Sequence, residues 1–388
     1  MIQKAVEHGL RAAVVIGLAA ALTASVCGGV GISGSAVAYG AVIAALIVRP
    51  DFQLWPTLLY PVLLVVVGLG MGIGVAVGLA LADMPQVLVF GFVAALMQLL
   101  TLLLPTKLRL LSGVMGVVGV LPLLSPAPSW RDWGNEMVAL ALGLAIGTLL
   151  QRLFTPAAVA AGDQAAGEQP KSAPAQGPAA AAAEKAAEPV EPPVAVRLRR
   201  GLRSPFFWRK LVFASLALAI GQGLGAVTPK YLYFGVVLLL NDSIGATLAR
   251  VRDRMVGVSL GILMPLLVFN CLGMSELSTG LVMGGTAALV TALRCGDHLR
   301  TALISSGVAF IGYGPLVAWY IPNRWIDYLM GCGLALMVGL LLFPSSALRR
   351  FNALRDDPDA SVAELGALLP AAQEEARWLG LPAPELPR

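Results

Sequence analysis

Apolar runs of membrane-spanning length, separated by short polar breaks, recur along the chain from residue 11 to residue 343. A helix needs about 20 mostly apolar residues to cross a bilayer. By that measure the pattern predicts spans at 11–30, 32–49, 57–82, 86–104, 110–126 and 135–154. A second series follows at 210–227, 231–249, 255–272, 276–293, 299–320 and 325–343. The first run has the outline of a signal peptide, with Lys4, His8 and Arg11 ahead of apolar residues that end near Cys27. Val26 makes a poor lipoprotein-type junction and no polar mature domain follows, so this run reads as the first span.

Between the two series, residues 157–196 are nearly all Ala, Pro, Gly, Gln and Glu and show no apolar period. Such a segment is a linker. It leads into a basic run from Arg197 to Lys210, suited to anionic lipid headgroups. The predicted organisation is a first six-span half over 1–156, a cytoplasmic linker over 157–209, a second half over 210–345 and a cytoplasmic tail over 346–388. In the tail, Ser361 and Glu364 form a capping box for a short helix with Val362, Leu365, Leu368 and Leu369 on its apolar side. The fold class is all-α, a polytopic integral membrane protein of twelve transmembrane helices.

The halves repeat one another. Trp133 and Gly147 recur at the same separation as Trp325 and Gly339, Lys107-Leu108-Arg109 as His298-Leu299-Arg300, and Pro122 as Pro315. Each half has an even number of spans, so the repeats are parallel, an arrangement common among transporters.

Composition sharpens this picture. Charged residues make up 13% of the 388, hydrophobic residues 57%, and mean hydropathy is +0.80. Soluble domains carry about 25% charged residues. The shortfall excludes a soluble enzyme, a disordered protein and a nucleic-acid binder. With the N-terminus in the cytoplasm, only Arg131, Lys230 and Arg324 of the 27 Lys and Arg fall on the outer side. That bias places both termini in the cytoplasm. Cys27, Cys271, Cys295 and Cys332 stand far apart and only two histidines are present, so neither a disulfide framework nor a metal site is expected. The cysteines read as small core residues, and no cofactor is implied.

Chemistry concentrates where spans break. The second span meets Arg49-Pro50-Asp51, and its counterpart meets Asn241-Asp242-Ser243 before apolar residues resume at Ile244. Paired interrupted spans point to a transport site. In that reading Arg49 attracts a carboxylate, Asn241 and Asp242 orient it or carry a proton, and Tyr60, Tyr231 and Tyr233 cover an apolar ring. The alternative places Arg49 and Asp242 at the interface, snorkelling to headgroups. Gln98, Thr101, Gln222, Thr286, Thr291, Ser305 and Ser306 read as helix–helix hydrogen bonds. The glycine strings Gly68–Gly78, Gly143/Gly147 and Gly257/Gly261 read as packing rather than nucleotide loops. Glu136 and Asp327 read as helix N-terminal acids on the outer side.

The stretch from Asn241 through Gly245-Ala246-Thr247, Arg250, Arg252 and Arg254 to Gly257 and Gly261 resembles a signature of the fusaric acid resistance-like family, also called the aromatic acid exporters. Halves that close on Pro156 and Pro344 match as well, and the resemblance covers about 10–156 and 205–345. Val258 stands where the family usually has Thr, and the first half keeps only Thr57 and the Gly68–Gly78 run. The large cytoplasmic domains common in the family are replaced by the linker. The resemblance implies export of small, often aromatic, carboxylates across the bacterial inner membrane. It adds Thr247 to the substrate-binding set and places Arg250 and Arg254 at a cytoplasmic mouth. The implied partners are a small organic anion and the lipid bilayer, with nucleic acid excluded and a homodimer left open. A passive anion channel and a scaffold without transport are the competing readings.

Overall fold

The computed structural model describes residues 2–49, 59–103, 118–124, 128–154, 194–203, 205–225, 232–233, 235–236, 239, 243–311, 317–338, 346–356 and 362–386. Every regular element among them is helical. Residues 1–156 contain α1 (Ile2–Gly29), α2 (Ser35–Ile47), α3 (Leu59–Ala80), α4 (Gln86–Leu103) and α5 (Trp130–Phe154), with a 3-10 turn at Leu121–Leu124. The amphipathic α6 (Val194–Arg203) carries the basic run into α7 (Pro205–Gly223). Then come α8 (Ile244–Leu272), α9 (Glu276–Ala292), α10 (Leu299–Ile311) and α11 (Val317–Met337), and the chain closes with α12 (Ala347–Arg355) and α13 (Val362–Trp378).

Four of these helices are long and apolar enough to cross a membrane: Gly9–Gly29 within α1, then α3, α5 and α8. Shorter apolar helices lie at Ala36–Ile47, Gln86–Thr101, Val212–Gly223 and Trp325–Met337. The chain is thus an all-helical protein with several membrane-spanning candidates.

Three predicted boundaries move. The expected span at 110–126 lies largely outside the described residues. Its visible end is a 3-10 turn, with Gly119 and Pro122 set against Gly74 of α3. The apolar residues after Ser243 do not resume an interrupted span. Ser243 caps the next helix by accepting from the Ala246 N–H at 3.3 Å, and that helix runs unbroken through Arg250–Arg254 to Leu272. An N-cap side chain satisfies one of the orphan amides and so starts a helix at that point. Finally, α11 begins at Val317, so the stretch 321–324 that reads as an outer loop is helical.

Small residues fix how the helices meet. A side chain on Gly17 of α1 would lie 2.7 Å from the Gly280 carbonyl oxygen and 3.3 Å from the Gly284 Cα of α9. The reverse contacts place Gly280 on Ala21 and Gly284 on Ala13. This crossing joins helices on either side of the 157–196 stretch at backbone distance. Within the first half, Gly40 of α2 meets Ala139 and Gly143 of α5, and Ala44 meets Gly147, so the two helices run side by side in the same direction. Leu-sized side chains at these points would force the helices apart, and lipid offers no hydrophobic reward for rejoining them.

The two largest buried clusters follow from this packing. One gathers Ile16, Ala41, Met283 and Leu303 from α1, α2, α9 and α10. The other gathers Phe90, Leu218, Tyr233, Val258 and Tyr328 around α4, α7, α8 and α11. Cys27 and Cys332 are buried as expected, whereas Cys271 is exposed and Cys295 half-exposed. Two of the expected interhelical polar contacts form, Thr286 to Ser306 at 3.1 Å and Gln222 to Gln86 at 3.2 Å. Thr101 and Thr291 instead return their hydroxyls to carbonyls of their own helices, Gln98 at 2.7 Å and Ala287 at 2.8 Å, and Ser305 Oγ is buried without a hydrogen-bond partner.

Replacing Gly17 with Leu should cost about 1–3 kcal/mol through overpacking. Thermal unfolding in detergent should show a clear drop for that variant and none for Gly134→Ala, where nothing stands within 4 Å.

A candidate anion site between α8 and α11

The described residues of the predicted site fall in two places. Arg49 follows the last turn of α2 and donates from Nε to the Leu46 carbonyl at 3.1 Å. A cation there complements the C-terminal end of the helix dipole. Thr247, Arg250 and Arg254 lie on α8. Between them stands α10, with Gly307 against Val42 of α2, and Thr301, Ala302 and Ser305 against Gly257 and Gly261 of α8. Arg49 and Arg254 therefore flank α10 from opposite sides. Tyr60, the other described member of the set in the first 156 residues, lies in the first turn of α3 and is half-buried. Asn241, Asp242 and Tyr231 lie outside the described residues.

The α8 side is the richer one. Tyr233 is fully buried, edge-on to Phe90 with ring centroids 5.3 Å apart. Two residues on, Gly235 crosses Gly331 of α11 so closely that a Cβ would lie 2.8 Å from the Gly331 Cα. That crossing draws α11 onto the short helical stretch carrying Tyr233. On α11, Trp325 donates from Nε1 to Ser259 of α8 at 3.1 Å, and the Cys332 Sγ lies 3.5 Å from Met255 Sδ. The contacts show α8 and α11 running antiparallel.

Arg254 lies in the middle of this seam. Its guanidinium carbon is 5.7 Å from the centroid of the Tyr328 ring. Its Nε is buried and has no hydrogen-bond partner. A buried donor left unmade costs about 1–3 kcal/mol, more when charged. The neighbouring arginine is spent differently: Arg252 Nη1 donates to both carboxylate oxygens of Glu374, at 2.7 and 2.9 Å. Asp253 accepts from Thr301 at 3.1 Å and lies 2.6 Å from His298 Nδ1. The chain thus places three charged residues in a row on α8, two bonded to protein and one held over an aromatic ring with a donor to spare. That is the chemistry of a site for a carboxylate with an apolar or aromatic body.

Tyr328 and Trp325 are the site residues that the sequence reading misses. Trp325 is visible there only as a repeat marker, although Trp, Asp and Tyr clustered at 325–328 inside an apolar run are themselves a signal. Asp327 and Glu136 do not cap helices. Asp327 is 2% exposed and well inside α11, and Glu136 is 5% exposed and two turns into α5. The α5 start is capped instead by Ser129, which accepts from the Asp132 N–H at 3.1 Å while its hydroxyl bonds the Asp132 carboxylate.

The first turns of α8 carry the C-terminal hairpin. Gly245 packs directly on the Ala371 carbonyl of α13, a place no side chain fits. Thr247 is buried and returns its hydroxyl to the Ser243 carbonyl at 2.9 Å. Within the hairpin, Glu375 accepts from the Ala347 and Leu348 amides at 2.8 and 3.3 Å, closing the N-terminus of α12. Ala347, Phe351, Leu365 and Ala372 make its apolar core. The tail is therefore a packed unit seated on α8. Its capping-box residues 361 and 364 lie outside the residues whose side chains are described.

Residues 216–338 match the family described as fusaric acid resistance protein-like, a match that runs from the second half of α7 to the end of α11 and leaves out the hairpin. The resemblance read from the 241–261 stretch is borne out over this segment. The match points to a membrane transport or resistance role. No curated protein and no solved structure matches the chain.

Removing the Glu374 charge (Glu374→Gln) should loosen the hairpin by about 1 kcal/mol, since Arg252 is half-exposed and the pair is partly screened. Limited proteolysis between 346 and 386 should then run roughly fivefold faster, while Gly245→Val should expose the hairpin altogether.

Proposed function

We propose that the chain exports small organic carboxylates, aromatic ones above all, across the bacterial inner membrane. The spans form two duplicated six-helix halves with both termini in the cytoplasm. The observation that carries the reading is the Arg254 guanidinium, set over Tyr328 with a buried Nε that no protein acceptor satisfies. A carboxylate would supply that acceptor, and Tyr328, Trp325 and Tyr233 would face its ring. The family match over the same helices supports transport by this half.

Arg254 lies close to the end of the bundle where the hairpin docks, about 15 Å along α8 from its first residue at 1.5 Å per residue. That end carries the cytoplasmic mouth in the proposed topology. Arg250, one turn earlier and exposed, would raise the local concentration of anions. Arg49 would form a second cationic station on the far side of α10, in the first half. Thr247, bonded back to Ser243, shapes the start of α8, and Asn241, Asp242, Tyr231 and Tyr60 complete the proposed path.

Labelled benzoate loaded outside proteoliposomes tests the reading. Flux through Arg254→Gln should fall about 10- to 100-fold, the loss expected when a charged hydrogen-bond partner is removed. Arg254→Lys should restore part of it, and Tyr328→Leu should cost less than Arg254→Gln. Wild-type flux in Arg254→Gln would move the site elsewhere. A current set by the anion gradient alone would make the protein a channel, and no flux with any carboxylate would leave it a scaffold.

A further inference from the structure

Among the described residues up to 156, Glu136 is the one buried acid, and nothing above explains its placement. It lies on the face of α5 that carries Gly143 and Gly147, the face pressed against α2. Gly40 meets Ala139 and Gly143, and Ala44 meets Gly147, so the same register sets Glu136 level with the first turn of α2 around Ala36. That helix start has no side-chain cap: its N-cap is Gly34, in a positive-φ conformation. Cys27, Ile32, Ala36 and Ala139 close round the level as an apolar cluster. Glu136 itself is 5% exposed, and its Oε2 has no hydrogen-bond partner.

Among the described residues, the neighbours offer no counter-cation. On α5, Asp132 and Arg131 are both exposed, and Asp132 is bonded to Ser129. From α1 the titratable group at this level is the buried Cys27, since Lys4, Glu7, His8 and Arg11 lie at the other end of the helix. From α2 it is Tyr39, and from α3 only Tyr60, at the remote end. Across α1, Glu276 of α9 stands beside Gly28 and is another acid. Ionised, Glu136 would be an uncompensated charge in an apolar seam, which is costly. A proton is the partner that this arrangement can accept and release.

We propose that Glu136 is a proton-binding site that couples the bundle to a transmembrane pH gradient. This rests on the transport reading above. Arg254 and Glu136 then divide the work, the anion held in the second half near the hairpin and the proton in the first half near the opposite end. The seam around Glu136 is made of backbone contacts at Gly40, Gly143 and Gly147, so a change of charge there acts directly on how α2 and α5 sit together.

The test has two independent readouts. Dicyclohexylcarbodiimide, which attacks protonated carboxyls in apolar surroundings, is applied to the full-length protein in proteoliposomes and the adduct is mapped by peptide mass spectrometry. Labelling should fall on Glu136, fade as the pH is raised, and vanish in Glu136→Gln. In parallel, pH-gradient-driven accumulation of benzoate should be lost in Glu136→Gln, while benzoate–benzoate counterflow, which needs no proton, reports that the variant is folded. Absence of pH-dependent labelling at Glu136 in the wild type overturns the proposal, as does full gradient-driven accumulation in the variant. Labelling that follows pH in a protein that moves no benzoate overturns the transport reading and leaves the proton site in place.

Discussion

Lipid tails are as apolar as leucine, so helices inside a bilayer gain little by hiding apolar faces from water and hold together by close packing. The bundle meets that constraint by bringing backbones into contact. Gly17, Gly280 and Gly284 set the α1–α9 crossing, and Gly40, Gly143 and Gly147 set the α2–α5 pairing. With α10 wedged between α2 and α8, those contacts decide where each charged side chain stands. Arg49 and Arg254 are on opposite sides of α10 because of the small residues along the helices that carry them.

Along α8 three uses of charge follow one another. Arg252 reaches out to Glu374 and anchors the hairpin, Asp253 turns to Thr301 and His298 on the α10 side, and Arg254 turns inward to Tyr328. One turn of helix spreads consecutive residues over its whole circumference, so neighbours in sequence serve different surfaces. The cluster that reads as a basic loop in the sequence is a distribution of duties on a helix.

Much of the helical pattern is legible in the sequence, because apolar length is a one-dimensional property. The ranges of α1, α2, α3, α4, α7 and α9 follow from it directly. Boundaries fail where a local polar group decides them. Ser243 starts α8 through a cap that hydropathy does not register, and the helical 321–324 stretch contains polar residues that mimic a loop. At the candidate site, Tyr233 is readable as chemistry in a span, and Arg254 only through the family resemblance, which sets it at a cytoplasmic mouth between spans. Tyr328 is not, because its role comes from the Gly235–Gly331 crossing, a meeting of residues distant in sequence. Burial of Glu136 escapes for the same reason: position near a helix start suggests a cap, and only the α2 register shows that the acid is enclosed.

The α1–α9 crossing ties residues from opposite ends of the chain more firmly than the connection between them needs to. Covalent continuity across the Ala/Pro-rich stretch at 157–196 is then redundant for keeping the halves in place. Its length and composition can drift through evolution without loosening the assembly, and the same architecture can be built equally well from two separately translated polypeptides.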